Sequence, residues 1–195
     1  MSVPSVQLSR LVSRVLRHEP RRYDVEVDEQ GWASVERLLE GIRRRGGGWA
    51  DIDRADLREM IDRCAKRRFE MDSDRIRARY GHSLPGRIGQ VEAAPPTLLF
   101  HGTSPRGWAA IRRTGLRPMG RQYVHLSVDV DTARQVGRRK STTPVILVVR
   151  TTAARAAGTR FWLGNEQVWL ADHVPTECID EAADRTSTAL DQRAN

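Results

Sequence analysis

The feature that most constrains this chain is an interruption. Residues 83–96, SLPGRIGQVEAAPP, hold three prolines and two glycines with little apolar content. Proline fixes φ and removes a backbone donor, and glycine loosens the chain, so no long helix or central strand crosses such a stretch. It divides the 195 residues into two pieces, each of which must bury its own apolar pattern, and the two patterns differ.

Before the interruption the period is helical. Leu8, Leu11, Val12, Val15 and Leu16 predict an amphipathic helix over 7–17 that Pro20 ends. Val25 and Val27 alternate with acids, and DEQG (28–31) offers a turn before Trp32, which reads as a short strand. Ser34 is an N-cap for a helix over 35–44 that buries Val35, Leu38, Leu39 and Ile42, with Gly46, Gly47 and Gly48 ending it. Asp53 caps a third helix whose buried stripe is Leu57, Met60, Ile61 and Cys64. RRFEMD (67–72) and RIRARYG (75–81) read as two strands joined by a tight turn at Asp72 to Asp74. Helix, strand, helix, helix, hairpin is the order of a winged-helix domain, an architecture used for nucleic-acid binding and equally as a scaffold.

After the interruption strands dominate. TLLFHGTS, YVHLSV, PVILVVRT, FWLGNEQVWLA and PTECID each predict a strand, PRGWAAIRRTG a helix ended by Gly115, and DTARQVGRR another helix. The expectation is an α+β protein: a winged-helix-like lobe over 1–82, a linker over 83–96, a strand-rich lobe over 97–181, and a polar, disordered tail over 182–195.

Charge narrows the partner. Lys and Arg number 33 against 25 Asp and Glu, a net +8. Residues 101–160 carry 12 basic side chains and only two acidic ones, Asp129 and Asp131. A polyanion is the natural ligand of such a surface. Only Lys66 and Lys140 are lysines; the arginines suit bidentate phosphate binding, and a GC-rich coding bias accounts for them as well. The longest apolar run, VILVV at 145–149, is far too short to span a membrane, and the N-terminal residues do not follow a secretory pattern. Cys64 and Cys178 lie far apart, so a reduced, cytoplasmic protein is expected. The chain has no GxGxxG, no GxxxxGK[ST], no GxSxG and no metal-ligand spacing. Any chemistry therefore falls to arginines and histidines, which suits a metal-free reaction on phosphate.

Five short motifs stand out. In VLRHEP, Arg17 and His18 end the first helix, where they could bind and protonate a phosphoryl group or simply cap the helix C-terminus. In KRRF (66–69), alternation turns Arg68 away from Phe69, toward a cleft or toward solvent. LLFHGTS closes an apolar strand with His101, Gly102 and Thr103; Gly102 lets a ligand approach the backbone, and His101 could meet a ribose hydroxyl or be a satisfied structural histidine. In MGRQYVHLS, Arg121 precedes a strand on which Tyr123, His125 and Ser127 share a face. NEQVWL supplies strand residues best read as core.

In this order and spacing the motifs resemble the RNA 2′-phosphotransferase family, over about residues 8–181. The resemblance implies a winged-helix-like lobe facing an ADP-ribosyltransferase-like, split-sheet lobe across a cleft. It implies consumption of NAD⁺ to remove an internal 2′-phosphate from RNA, as in tRNA splicing or RNA repair. The 2′-phosphate would attack the nicotinamide ribose, and transesterification would then release 2′-hydroxyl RNA, ADP-ribose 1″,2″-cyclic phosphate and nicotinamide. The family's Arg-His-Arg-Arg tetrad would fall on Arg17, His18, Arg68 and Arg121. His101, Gly102, Thr103, His125 and Ser127 would contact NAD, and no metal would be needed. A monomer is expected. Tyr123 stands where many relatives carry a histidine, a change expected to tune NAD affinity; GGGW and RRKS (138–141) look local to this chain. The rival reading is an ADP-ribosyltransferase that stops after the first step, on a nucleic-acid terminal phosphate or a protein. A non-catalytic RNA binder is a third reading, and it leaves the HGT and VHLS motifs without a use.

Overall fold

The structure is a computed structural model that describes residues 5–64 and 67–182. Lys66 and the expected disordered tail beyond Ala182 lie outside the described residues. The chain is α+β, with six α-helices and two antiparallel sheets among the described residues.

In the first half, α1 (Ser5–Arg17) lays Leu8, Val12, Val15 and Leu16 against the rest of the core. Strand β1 (Trp32–Ser34) leads directly into α2 (Val35–Arg43), because the Ser34 hydroxyl accepts the Arg37 N–H as an N-cap. Helix α3 (Arg54–Asp62) starts on a reciprocal capping box between Asp53 and Asp56. Strands β2 (Phe69–Asp72) and β3 (Arg75–Ala78) pair through the turn at Ser73, and β1 joins β3 to give the order β1-β3-β2. Leu38, Leu39, Ile42, Leu57, Met60 and Ile76 complete a core that includes α1.

The second half is a six-stranded sheet in the order β7-β8-β5-β4-β6-β9. Its strands are β4 (Leu98–Thr103), β5 (Val124–Ser127), β6 (Val145–Arg150), β7 (Phe161–Asn165), β8 (Val168–Ala171) and β9 (Ile179–Glu181). Helices α4 (Pro105–Thr114), α5 (Val130–Gly137) and α6 (Thr151–Ala156) connect them. Leu99, Leu126, Leu147, Val149, Phe161 and Ala171 are all but fully buried between sheet and helices.

Four expectations need correction. No strand forms at Val25–Val27: the segment pairs with no strand, and Asp28 instead caps the following turn by accepting the Gln30 and Trp32 amides. FWLGNEQVWLA is a hairpin of β7 and β8, with a register break between Leu163 and Asn165, not one strand. The strand drawn through Gly81 ends at Ala78, and only the last residues of PTECID are extended, after a 3-10 turn at Thr176–Cys178.

Residues 82–96 form neither helix nor strand, apart from a bridge of Glu92 to Trp162, yet they are packed rather than loose. Ile88 is buried, and the Ala93 N–H donates to the Phe161 carbonyl. This segment fixes how the two halves meet, and the candidate site lies at that meeting.

Candidate active site

Arg17 is the last residue of α1 and is carried inward by the same helical register that buries Val15 and Leu16. Its guanidinium lies between two aromatic rings, 5.7 Å from the Phe69 centroid and 5.3 Å from the Tyr80 centroid. Such contacts each contribute about 0.5–2 kcal/mol when desolvated. Its Nε and Nη2 are buried and have no hydrogen-bond partner. Burial, with like charge from Arg68 and Arg121, brings its pKa down to about 10, so it still carries its charge at neutral pH.

Arg121 approaches from the other half. A side-chain carbon placed on Gly81 would lie 3.3 Å from Arg17 Nη1 and 3.6 Å from Arg121 Nη1, so the two guanidiniums flank one glycine. Gly81 has φ +90°, which a glycine adopts without strain. Arg68 sits just before β2, half-buried and next in sequence to the buried Phe69, near enough to Arg17 for its charge to lower that group's pKa. Neither Arg17, Arg68 nor Arg121 forms an ion pair among the described residues, although Arg67, Arg77 and Arg79 do. Three cations thus converge from both halves with no carboxylate to neutralise them.

His18 stands at the exposed edge of this cluster, its Nδ1 2.8 Å from Ser83 Oγ. Partial burial and the charges of Arg17 and Arg121 hold its pKa below the usual imidazole value. His125 extends the cluster into the sheet. Its Nδ1–H donates to the Tyr123 carbonyl (3.0 Å), which leaves Nε2 to accept from Arg121 Nη1 (3.3 Å). Burial first and Arg121 second take its pKa to about 3, so it is a neutral acceptor that orients Arg121. His101, one strand over, donates its Nδ1–H to the His125 carbonyl (2.9 Å), and burial lowers its pKa too.

The structure therefore brings together Arg17, His18, Arg68, Arg121 and His125, with His101 tied to them through His125. Gly102, Thr103 and Ser127 lie further along the same strands and are buried. Gly102 is required by packing: a side-chain carbon there would lie 1.9 Å from the Ala133 carbonyl oxygen of α5. The space the sequence assigns to an approaching ligand is filled on that side by α5. Thr103 sits beneath Gly107 in the first turn of α4. Tyr123 is buried too, and its hydroxyl donates to the Ile88 carbonyl rather than facing the cluster.

Two site residues escape the sequence reading. Tyr80 is 8% exposed, forms the floor under Arg17, and meets the His125 ring edge-on at 5.9 Å. His82, 3% exposed, lies near enough to Arg17 and His18 for their charges to lower its pKa. The signal was available in YGHS (80–83): an aromatic, a glycine and a histidine where the hairpin gives way to the proline-rich stretch.

Comparison with known proteins identifies the family. The family described as RNA 2′-phosphotransferase, Tpt1 / KptA family, matches residues 3–173. A probable RNA 2′-phosphotransferase of Bacillus thuringiensis subsp. konkukian is 50% identical over 172 residues, covering 88% of this chain and 92% of that protein. Its namesake in Acetivibrio thermocellus is 44% identical, over 89% of this chain and 94% of that protein. One from Pyrococcus horikoshii is 35% identical, over 89% and 96%.

Proposed function

The chain belongs to the RNA 2′-phosphotransferase, Tpt1 / KptA family, and from that premise we propose that it removes an internal 2′-phosphate from RNA with NAD⁺ as co-substrate. The observation that carries the reading is the uncompensated cluster of Arg17, Arg68 and Arg121. Three neighbouring guanidiniums, one of them with buried and unpartnered donors, favour a multiply charged anion among them.

NAD⁺ supplies the electrophile, a ribose carbon that exchanges nicotinamide for a phosphate oxygen. The neighbouring ribose hydroxyl then attacks phosphorus and displaces the RNA 2′-oxygen, leaving ADP-ribose 1″,2″-cyclic phosphate. Arg17, Arg68 and Arg121 hold the 2′-phosphate and offset the charge that builds on its oxygens. His18, at the exposed edge with Ser83 on its Nδ1, moves the proton of the second step. His101 fits a ribose: with Nδ1–H committed to the His125 carbonyl, its Nε2 is the nitrogen that can accept from a hydroxyl. Gly102, Thr103, His125 and Ser127 complete the wall we assign to NAD. We further read the first half as a winged-helix-like lobe facing the RNA, and the second as ADP-ribosyltransferase-like.

The test is a single-turnover reaction on a short RNA labelled at one internal 2′-phosphate, with and without NAD⁺. Label should pass to ADP-ribose cyclic phosphate only with NAD⁺. Arg68→Ala and Arg121→Ala should each slow the reaction by about 10²–10³-fold. Arg17→Lys should fare little better than Arg17→Ala, because an ammonium cannot stack flat between Phe69 and Tyr80. If label stays on the RNA while NAD⁺ is consumed, a transferase that halts after the first step is the correct description.

A further inference from the structure

The charge cluster is shared between two halves of the chain, so something must hold them in register. The hydrogen bonds trace that task to one side chain. Gln122 follows Arg121 and is half-buried. Its Nε2 donates to the Leu84 carbonyl (3.0 Å) and the Gly86 carbonyl (2.7 Å), and its Oε1 accepts the Ile88 N–H (2.9 Å). Its own backbone N–H donates to the His82 carbonyl (3.1 Å). One carboxamide thus grips every second residue from Leu84 to Ile88.

That segment in turn grips the first half. The Ser83 N–H donates to the Arg17 carbonyl (3.0 Å), and Ser83 Oγ meets His18 Nδ1 at 2.8 Å. The Gly89 N–H donates to the Glu29 carbonyl (2.8 Å). Ile88 packs over Gly31, 3.2 Å from where a side-chain carbon there would sit. Tyr123, on the far side of Gln122, adds its hydroxyl to the Ile88 carbonyl (2.9 Å). Neighbours in sequence therefore divide the work: Arg121 enters the site, while Gln122 and Tyr123 fasten the segment that carries Arg17 and His18.

We propose that Gln122 is a positioning residue that assembles the site: its carboxamide fixes residues 82–88 to the second half, and through Ser83 those residues fix Arg17 and His18 opposite Arg121. Glutamine is the side chain this arrangement requires. It offers two donors and an acceptor at the necessary reach. Glutamate would set a carboxylate against two carbonyl oxygens, and asparagine is one methylene short. A substrate held by both halves draws them together. Loosening the latch therefore lowers the fraction of molecules ready to bind and leaves the chemistry of the bound complex intact.

The inference rests on the proposed reaction only for its kinetic arm, so it is tested two ways on the full chain. Backbone hydrogen exchange is followed in wild type, Gln122→Met and Gln122→Glu. Methionine keeps the length and packing and removes all three side-chain bonds. In wild type the Ser83 and Ile88 amides should be protected. In both variants their exchange should quicken by about 10-fold or more, with the amides of β4 and β6 unchanged. In steady state with 2′-phosphorylated RNA and NAD⁺, KM for RNA should rise about 10-fold while kcat stays within roughly threefold. Unprotected Ser83 and Ile88 amides in wild type would overturn the proposal whatever the variants do. So would protection in Gln122→Met equal to wild type, or a fall in kcat at constant KM. If wild type does not turn over the RNA, the proposed reaction fails and the exchange measurements decide the latch alone.

Discussion

His82 is the residue at which the cost of building a cationic site is most visible. It is 3% exposed, its Nε2 has no hydrogen-bond partner, and burial, followed by the charges of Arg17 and His18, takes its pKa from 6.5 to about 4. In the unfolded chain the same imidazole takes a proton near 6.5. Between those two values the unfolded state binds more protons than the folded one. Stability from this group is therefore complete above pH 6.5 and lost as pH falls toward 4, by roughly 3 kcal/mol over the whole interval. Urea unfolding of wild type and His82→Gln across that window should show the steeper acid slope in wild type. Equal slopes would mean that His82 is protonated in the folded state. His125, His101 and His18 are shifted in the same direction, so the variant should flatten the slope without abolishing it.

Among the elements, α5 crosses β4 at close range at Gly102. The Gly102 position faces the Ala133 carbonyl and the Gly137 amide nitrogen, with room for a hydrogen and nothing more. Gly102→Ala should force α5 off the strand, at about 3 kcal/mol. In a chain of this size that corresponds to a melting temperature lower by roughly 6–12 °C. A change under 2 °C by calorimetry would show that α5 shifts freely. The glycine was legible in the sequence as a position of close approach to the backbone; that α5 makes that approach on one side was not. Helices α1, α2 and α3 could be read because period and caps agree: Ser34 and Asp53 cap where they were expected to. Helix α6, TTAARA, has no apolar stripe to reveal it. The β7–β8 hairpin was hidden because Leu163 and Val168 flank a polar turn shorter than most loops. Val25 and Val27 alternate like strand residues, but alternation reports one buried side and not a paired backbone. Arg17, His18, Arg68 and Arg121 could be assembled only from the order of their motifs. The hydrogen bonds of Gln122 join residues about 35 positions apart, and no local pattern encodes them.

At the scale of the whole molecule, the last strand has a consequence that the site does not share. β9 contributes nothing to the arginine cluster. It pairs with β6 through Leu147, Val148 and Val149, the last three residues of the most apolar run in the chain, and so covers the outer edge of that strand. The cover is fastened by an ion pair of Arg150 with Asp180 (2.8 Å) and by the Trp108 indole N–H donating to Glu181 (2.8 Å). A chain cut before Ile179 would keep every residue proposed to act on RNA. It would also present VILVV with one row of open amides and carbonyls, the template on which identical edges add to one another. Such a truncation should accumulate in the pellet, and the soluble remainder should elute above monomer mass in gel filtration. Three residues near the end of the chain would then govern whether copies of this protein stay apart.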